Sequence, residues 1–168
     1  CTFDEEFDGN DLCATQFLGT VDGDAAGTVR VRYFGDFCKV ERLAVRKEYR
    51  QSKLAYKLVR AALEHARKKG VTKAYGHSRF DLIRFWRVFG FKEIPDRPKF
   101  SFANVDYVEM EASLEPMEER VRIGDDPMRT TRPEGRWDVP GPLDLSNLKS
   151  ENLKMGLIKE NTRFLQTG

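Results

Sequence analysis

From Thr28 to Phe34 the chain alternates, with Val29, Val31 and Tyr33 on one side and Arg30 and Arg32 on the other. A period of two predicts a half-buried strand. A similar alternation over Cys13–Val21 predicts a strand before it, with the turn at Asp22-Gly23-Asp24 between them. Phe34-Gly35-Asp36-Phe37 reads as a tight hairpin with Gly-Asp at its tip, leading into a third strand over Cys38–Val45. The period then changes. Leu54, Ala55, Leu58, Val59, Ala62, Leu63 and Ala66 form one stripe at helical spacing, predicting a helix over Ser52–Lys69. Ser52 is the expected N-cap, Arg67, Lys68 and Lys69 suit the negative end of the dipole, and Gly70 is the expected stop.

A short strand over Val71–Gly76, a second helix over Arg79–Phe89 ended by Gly90, and strands over Phe91–Ile94 and Asp106–Ala112 complete the pattern. Pro95 and Pro98 mark the last connection as a loop. A strand, helix, strand crossover sets two strands parallel, while hairpins set the others antiparallel. The expected fold is therefore mixed α+β, with a largely antiparallel sheet of about six strands flanked by helices. It occupies residues 1–113. Residues 114–168 hold Pro127, Pro133, Pro140 and Pro142 with little periodicity. A weak amphipathic helix over Asp144–Leu165 is expected, in an arm that wraps the core or a neighbouring subunit, as in a homodimer.

The chain has 168 residues and 40% hydrophobic content, enough for one core. No run of about 18 apolar residues is present, so no membrane span is expected. Three cysteines, Cys1, Cys13 and Cys38, are widely spaced, and the two histidines, His65 and His77, stand apart. Neither a disulfide framework nor a metal site is expected, and a reducing, cytoplasmic setting fits. The chain opens at Cys1 without Met, which reads as a fragment whose first element lies upstream.

Charge is uneven. Residues 1–38 carry eight acids against two bases, and residues 39–73 carry twelve bases against three acids. The basic segment expects an anionic partner: a cofactor phosphate, nucleic acid or an acidic carrier protein. It is centred on Val40 to Ala55, where a strand ends in a basic turn and a long helix begins. Helix N-termini expose unpaired N–H groups and the positive dipole end, so this junction is a candidate phosphate site ringed by Arg46, Lys47, Arg50 and Lys53.

Arg42-Leu43-Ala44-Val45, followed by Arg50-Gln51-Ser52-Lys53-Leu54-Ala55, resembles the GNAT acyltransferase superfamily. Members carry a strand ending in these residue types, then Arg/Gln-x-x-Gly-x-Gly/Ala opening a long helix. Phe85, Gly90 and Phe91 match a second family helix ending in Gly-Phe. Spacing and element order agree over Cys13–Ala112. The opening Glu6–Asp11 looks like the family segment before its second strand.

The resemblance implies an N-acyltransferase using acyl-CoA or acetyl-CoA, or the phosphopantetheine of acyl carrier protein, with a small-molecule amine as acceptor. Main-chain groups of the Leu43-Ala44-Val45 segment would bind the pantetheine arm. Arg50, Gln51, Ser52, Lys53, Leu54 and Ala55 would hold phosphate. The amine would enter where the central strands splay and attack the thioester directly. Glu41 is the candidate base, with His77 the other proton-transfer candidate.

Two departures stand out. Lys53 replaces the first motif Gly, and Trp86 replaces the usual Tyr that protonates the leaving thiolate. Indole is a donor but not an acid at neutral pH. The degraded glycine loop and basic approach resemble the branch using long-chain donors, the N-acyl amino acid and acyl-homoserine lactone synthases. In that branch Lys47, Arg50, Lys53, Lys57 and Arg60 would dock an acidic carrier. A domain that senses acyl-CoA without turnover is the competing reading. A nucleic-acid binder is disfavoured by the lack of a recognition motif.

Overall fold

The computed structural model describes residues 3 and 7–146. The residues beyond Ser146 in the helix expected over Asp144–Leu165, among them Leu148, Leu153, Leu157 and Ile158, lie outside the described residues. Two compact units divide the chain, residues 1–120 and 121–168.

The first unit holds a seven-stranded sheet. Its strands are β1 (Thr15–Val21), β2 (Asp24–Phe34), β3 (Phe37–Val45), β4 (Lys73–Arg79), β5 (Lys92–Glu93), β6 (Phe100–Phe102) and β7 (Val105–Ser113). The order across the sheet is β1-β2-β3-β4-β7-β5, with β6 on β7. Only β3 and β4 run parallel. The hairpins have the tips their sequences require. Asp22 and Gly23 both have positive φ, and Phe34 pairs with Phe37 across Gly35, whose φ is 58°.

Between β3 and β4 runs the long helix α1 (Leu54–Lys68). Its apolar stripe, Leu54, Leu58, Val59, Ala62, Leu63 and Ala66, is buried. It covers the sheet face carrying Val29, Val31, Cys38, Val40 and Ala74. Each fully buried Val or Leu contributes roughly 1.5–3 kcal/mol relative to exposure. His65 is buried there too, edge-on to Phe17 at 5.6 Å.

Three expectations need correction. Ser52 does not cap the helix: its Oγ donates to Tyr49 O at 2.6 Å, inside a 3₁₀ turn over Lys47–Ser52, and Lys53 is the N-cap. The second helix is broken into a 3₁₀ turn, Phe80–Leu82, and a short α2 (Ile83–Arg87). The proline loop contains an unforeseen strand, β6, closed onto β7 by Ala103 and Asn104, both at positive φ. Neither is glycine, so the turn was hard to see in the sequence.

The second unit has a 3₁₀ turn, Pro127–Thr131, and an internal ion pair, Arg132–Asp144 at 2.8 Å. Asp144 also accepts from Gly141 N–H at 2.6 Å, so one carboxylate ties both ends of this loop. The Arg132 guanidinium holds that carboxyl below its usual range. Among the described residues no helix is long and apolar enough to cross a membrane.

Phe91 is 1% exposed and meets Trp86 at 5.3 Å between ring centroids. Phe91→Ala is expected to cost about 3–5 kcal/mol, read as a lowered urea midpoint with unchanged m-value.

Candidate active site

The site begins where two parallel strands stop pairing. β3 and β4 are in register at Phe37–Lys73, Cys38–Ala74 and Lys39–Tyr75, and no further. Gly76 follows immediately. A Cβ there would meet Val40 O at 3.1 Å, so any side chain would push the strands a few tenths of an ångström apart at the point where they part. Beyond it, β3 stays on β2 and β4 stays on β7, leaving a gap between them.

The inner edge of β3 is turned to that gap. Arg46 N–H donates to Ala26 O at 2.9 Å. Main-chain groups of successive strand residues point to opposite edges, so those of Val45 and Leu43 point away from β2. Val45 O accordingly accepts Arg50 Nε at 3.3 Å. A bulge adds to this. Thr28 pairs with Ala44 and Arg30 with Glu41, so Val29 alone stands opposite Arg42 and Leu43. Arg42 carries the bulge at φ 55°, and no glycine announced it.

Further along, Lys53 opens α1 at φ 59° and ψ 17°, with no side-chain cap. That left-handed conformation is why glycine is the usual residue in such a motif. In Lys it costs about 1–2 kcal/mol. The first within-helix bond is Lys57 N–H to Lys53 O, so the amides of Leu54, Ala55 and Tyr56 have no acceptor inside the helix. Lys47, Arg50 and Lys53 are exposed around them, as are Gln51 and Ser52.

A cavity of about 770 Å³ opens in the gap. One wall is apolar: Leu43, Leu82, Trp86, Phe100, Phe102 and Tyr107. The other is ionic. Arg30 on β2 is 2% exposed and binds three carboxylates, Asp8 at 2.8 Å, Asp11 at 2.7 Å and Glu41 at 2.9 Å. Glu41 Oε2 takes Lys39 Nζ at 3.0 Å. The Arg30 guanidinium holds the Asp8 carboxyl well below the usual carboxylate range, and the carboxylates raise Arg30 in turn. Arg30 looked like an ordinary outward-facing strand position in the sequence. The acidic opening segment is what covers it.

His77 lies within β4, not at its end, directly opposite Glu109 of β7. Burial, with Lys39 adding in the same direction, pushes its imidazole below the usual 6.5, so the ring is neutral at pH 7. Tyr75 bonds both His77 Nε2, at 2.8 Å, and Glu109 Oε1. Cys38 is fully buried, and burial pushes its thiol up to about 12, so it is no nucleophile. Among the described residues no three His, Cys, Asp or Glu side chains could together hold a metal ion.

The cavity thus gathers Glu41, Leu43, His77 and Trp86. Ala44, Val45, Arg50, Gln51, Ser52, Lys53, Leu54 and Ala55 do not line it; they belong to the strand end and helix entry beyond, and the Leu54 side chain is in the core. Asp8, Arg30, Tyr75, Tyr107 and Glu109 were missed. Only the strand period, applied across β4 and β7 together, could have found Tyr75, His77 and Glu109 on one face.

A mixed sheet with parted central strands beside a bare helix N-terminus offers main-chain groups to an extended ligand and to an anion. Residues 2–91 match the acetyltransferase (GNAT) family, more than half of the chain, and the chain belongs to that family of acyltransferases. No curated protein matches it. Among solved structures it is similar to a Lactobacillus plantarum protein assigned as an N-acetyltransferase, with TM-score 0.60 and 24% identity over 68% of this chain and 79% of that one. It is also similar to Escherichia coli ElaA, with TM-score 0.58 and 21% identity over 67% and 77%. A third is a GNAT acetyltransferase of Elizabethkingia anophelis with acetyl-CoA bound, with TM-score 0.52 and 10% identity over 61% and 78%. At these identities the likeness is one of fold.

Lys53→Gly is expected to raise stability by about 0.5–1 kcal/mol, by relieving the left-handed strain. It removes one cation from the helix entry, so thermal unfolding should improve while binding of inorganic pyrophosphate, read by calorimetry, should weaken. The Asp8 contribution carries the opposite pH sense to a histidine pair. Its carboxyl is depressed from 3.8, so its stabilisation is complete above that pH and is lost as pH falls below it. Asp8→Asn should flatten the acid limb of a stability-versus-pH curve and raise hydrogen exchange in residues 7–13.

Proposed function

We propose that the chain transfers an acyl group from a CoA thioester to a primary amine, with the thioester lying in the gap between β3 and β4. The observation that carries this reading is the inner edge of β3, unpaired by any strand, with Leu43 and Val45 main-chain groups turned toward a gap that ends at the helix entry. Pantetheine amides suit those strand groups as an added strand would. The donor phosphate suits the amides of Leu54, Ala55 and Tyr56, with Arg50 and Lys53 beside them.

The acceptor enters from the ionic wall. His77, neutral at pH 7, takes the ammonium proton. Glu41, with Arg30 and Lys39 on its oxygens, keeps acceptor capacity for the amine and orients it. Attack forms the C–N bond and breaks the C–S bond, the electron pair leaving on sulfur. Trp86 forms part of the wall beside the thioester and does not protonate the thiolate. Tyr107, on the same cavity, is the phenol available for that step.

The apolar wall supports acyl groups longer than acetyl, since a methyl alone would leave Phe100, Phe102 and Leu82 without a partner. The exposed bases Lys47, Arg50, Lys53, Lys57 and Arg60 support an acyl carrier protein as alternative donor. Loss of the usual Tyr at Trp86 favours a second reading, a domain that binds acyl-CoA without turnover.

Thiol release from acetyl-, octanoyl- and palmitoyl-CoA, and from acyl carrier protein, against a panel of amines tests all of these. Turnover with amine-dependent thiol release is expected, with an acid limb in kcat/KM whose midpoint lies below 6.5. His77→Gln should lower kcat by about 10²–10⁴-fold, the usual contribution of a positioned base. Tight CoA binding with no thiol released from any donor would support the sensor and end the transferase reading.

A further inference from the structure

The arrangement around His77 determines which of its two nitrogens carries the proton. Tyr75 and His77 are two residues apart on β4 and share a sheet face. Glu109 stands on the neighbouring strand β7, in register with His77. Tyr75 Oη lies 2.8 Å from His77 Nε2 and bonds Glu109 Oε1 as well. A phenol has one hydrogen to give. Glu109 is ion-paired with Arg97, whose Nε lies 3.0 Å from its Oε2, and a carboxylate only accepts. The Tyr75 hydrogen therefore goes to Glu109. The Tyr75 oxygen is left as an acceptor, and His77 Nε2 must be its donor. A neutral imidazole has a single N–H, so Nδ1 carries the lone pair.

We propose that Tyr75 and Glu109 are positioning residues that lock His77 as the Nε2–H tautomer and so make Nδ1 the proton acceptor of the reaction. This rests on the acyltransfer reading for its use but not for its geometry. In the reaction, one proton leaves the acceptor ammonium for Nδ1 and the amine nitrogen attacks the thioester carbonyl; the adduct then gives up its second nitrogen proton, which reaches sulfur by way of the Tyr107 phenol as the electron pair of the C–S bond departs there, leaving amide and thiol. The imidazolium keeps its Nε2–H bond to Tyr75, whose own hydrogen stays on Glu109. It returns the Nδ1 proton to solvent, and nothing is oxidised or reduced. The groups that set its charge balance are Lys39 and Glu41 on β3, Glu109 on β7 and Arg97 before β6. Phe100 of β6 packs against the imidazole, ring centroids 4.8 Å apart.

The test combines a spectrum with kinetics. In protein labelled with ¹⁵N-histidine, His77 at pH 8 is expected to show a protonated Nε2 and a bare Nδ1. Tyr75→Phe should move it toward a tautomer mixture. The same variant should lower kcat by about tenfold, a fraction of what a positioned base contributes, and leave the KM for the thioester unchanged. Glu109→Leu, which removes the acceptor of the Tyr75 hydrogen, should do likewise, and Glu109→Asp should keep part of the rate. A wild-type His77 protonated on Nδ1, or Tyr75→Phe with unaltered tautomer and kcat, overturns the proposal. If His77→Gln leaves the pH profile intact, the base assignment of the acyltransfer reading falls, while the spectrum still decides the tautomer lock on its own.

Discussion

The parting of β3 and β4 governs everything else in this molecule. Each strand has a complete ladder on its outer side, β3 with β2 and β4 with β7. After three shared pairs, each has an inner edge with nothing of the sheet beside it. Main-chain donors and acceptors in such a place need water or a ligand. A chain molecule studded with amides, such as pantetheine, meets that need along its length. The gap is thus an open edge inside a sheet, sheltered from the aggregation to which outer edges are exposed.

The sheet assigns its two faces to separate tasks. One carries Val29, Val31, Cys38, Val40 and Ala74 against α1 and supplies the core. The opposite face carries Arg30, Lys39, Glu41, Tyr75, His77 and Glu109, the polar and titratable groups of the candidate site. A strand period of two is enough to separate them. The same alternation that builds stability therefore lines up the reactive groups, and no loop is required to hold most of them. Rigid placement on strands suits a reaction in which positioning is much of the catalysis.

The meander, the long helix and the crossover were readable in the residue pattern because each obeys one period without interruption. What escaped did so for physical reasons. Residues in left-handed conformations, Arg42 in the bulge, Lys53 at the helix entry, Ala103 and Asn104 in the last hairpin, are not the glycines that announce such turns. Ser52 looked like a cap because its type suits one, yet the 3₁₀ turn moved the helix start by two residues. The site was half visible. Glu41, Leu43, His77 and Trp86 converge on one cavity. Arg30 escaped because burial of a charge depends on carboxylates nineteen and twenty-two residues away. The Tyr75–Glu109 pair escaped because it needs the register of two strands distant in the chain.

The cluster around Arg30 sets the two ends of the groove apart. Its guanidinium is out of reach of mobile ions, while the cations at the entry to α1 stand in solvent. Counter-ions screen exposed charges beyond about 10 Å at 0.1 M and act far less on buried ones. Raising ionic strength would therefore weaken any anion's hold at the helix entry and leave the Arg30 cluster nearly unchanged. One groove thus holds two compartments of unequal sensitivity to the medium, and the division falls where β3 gives way to the helix.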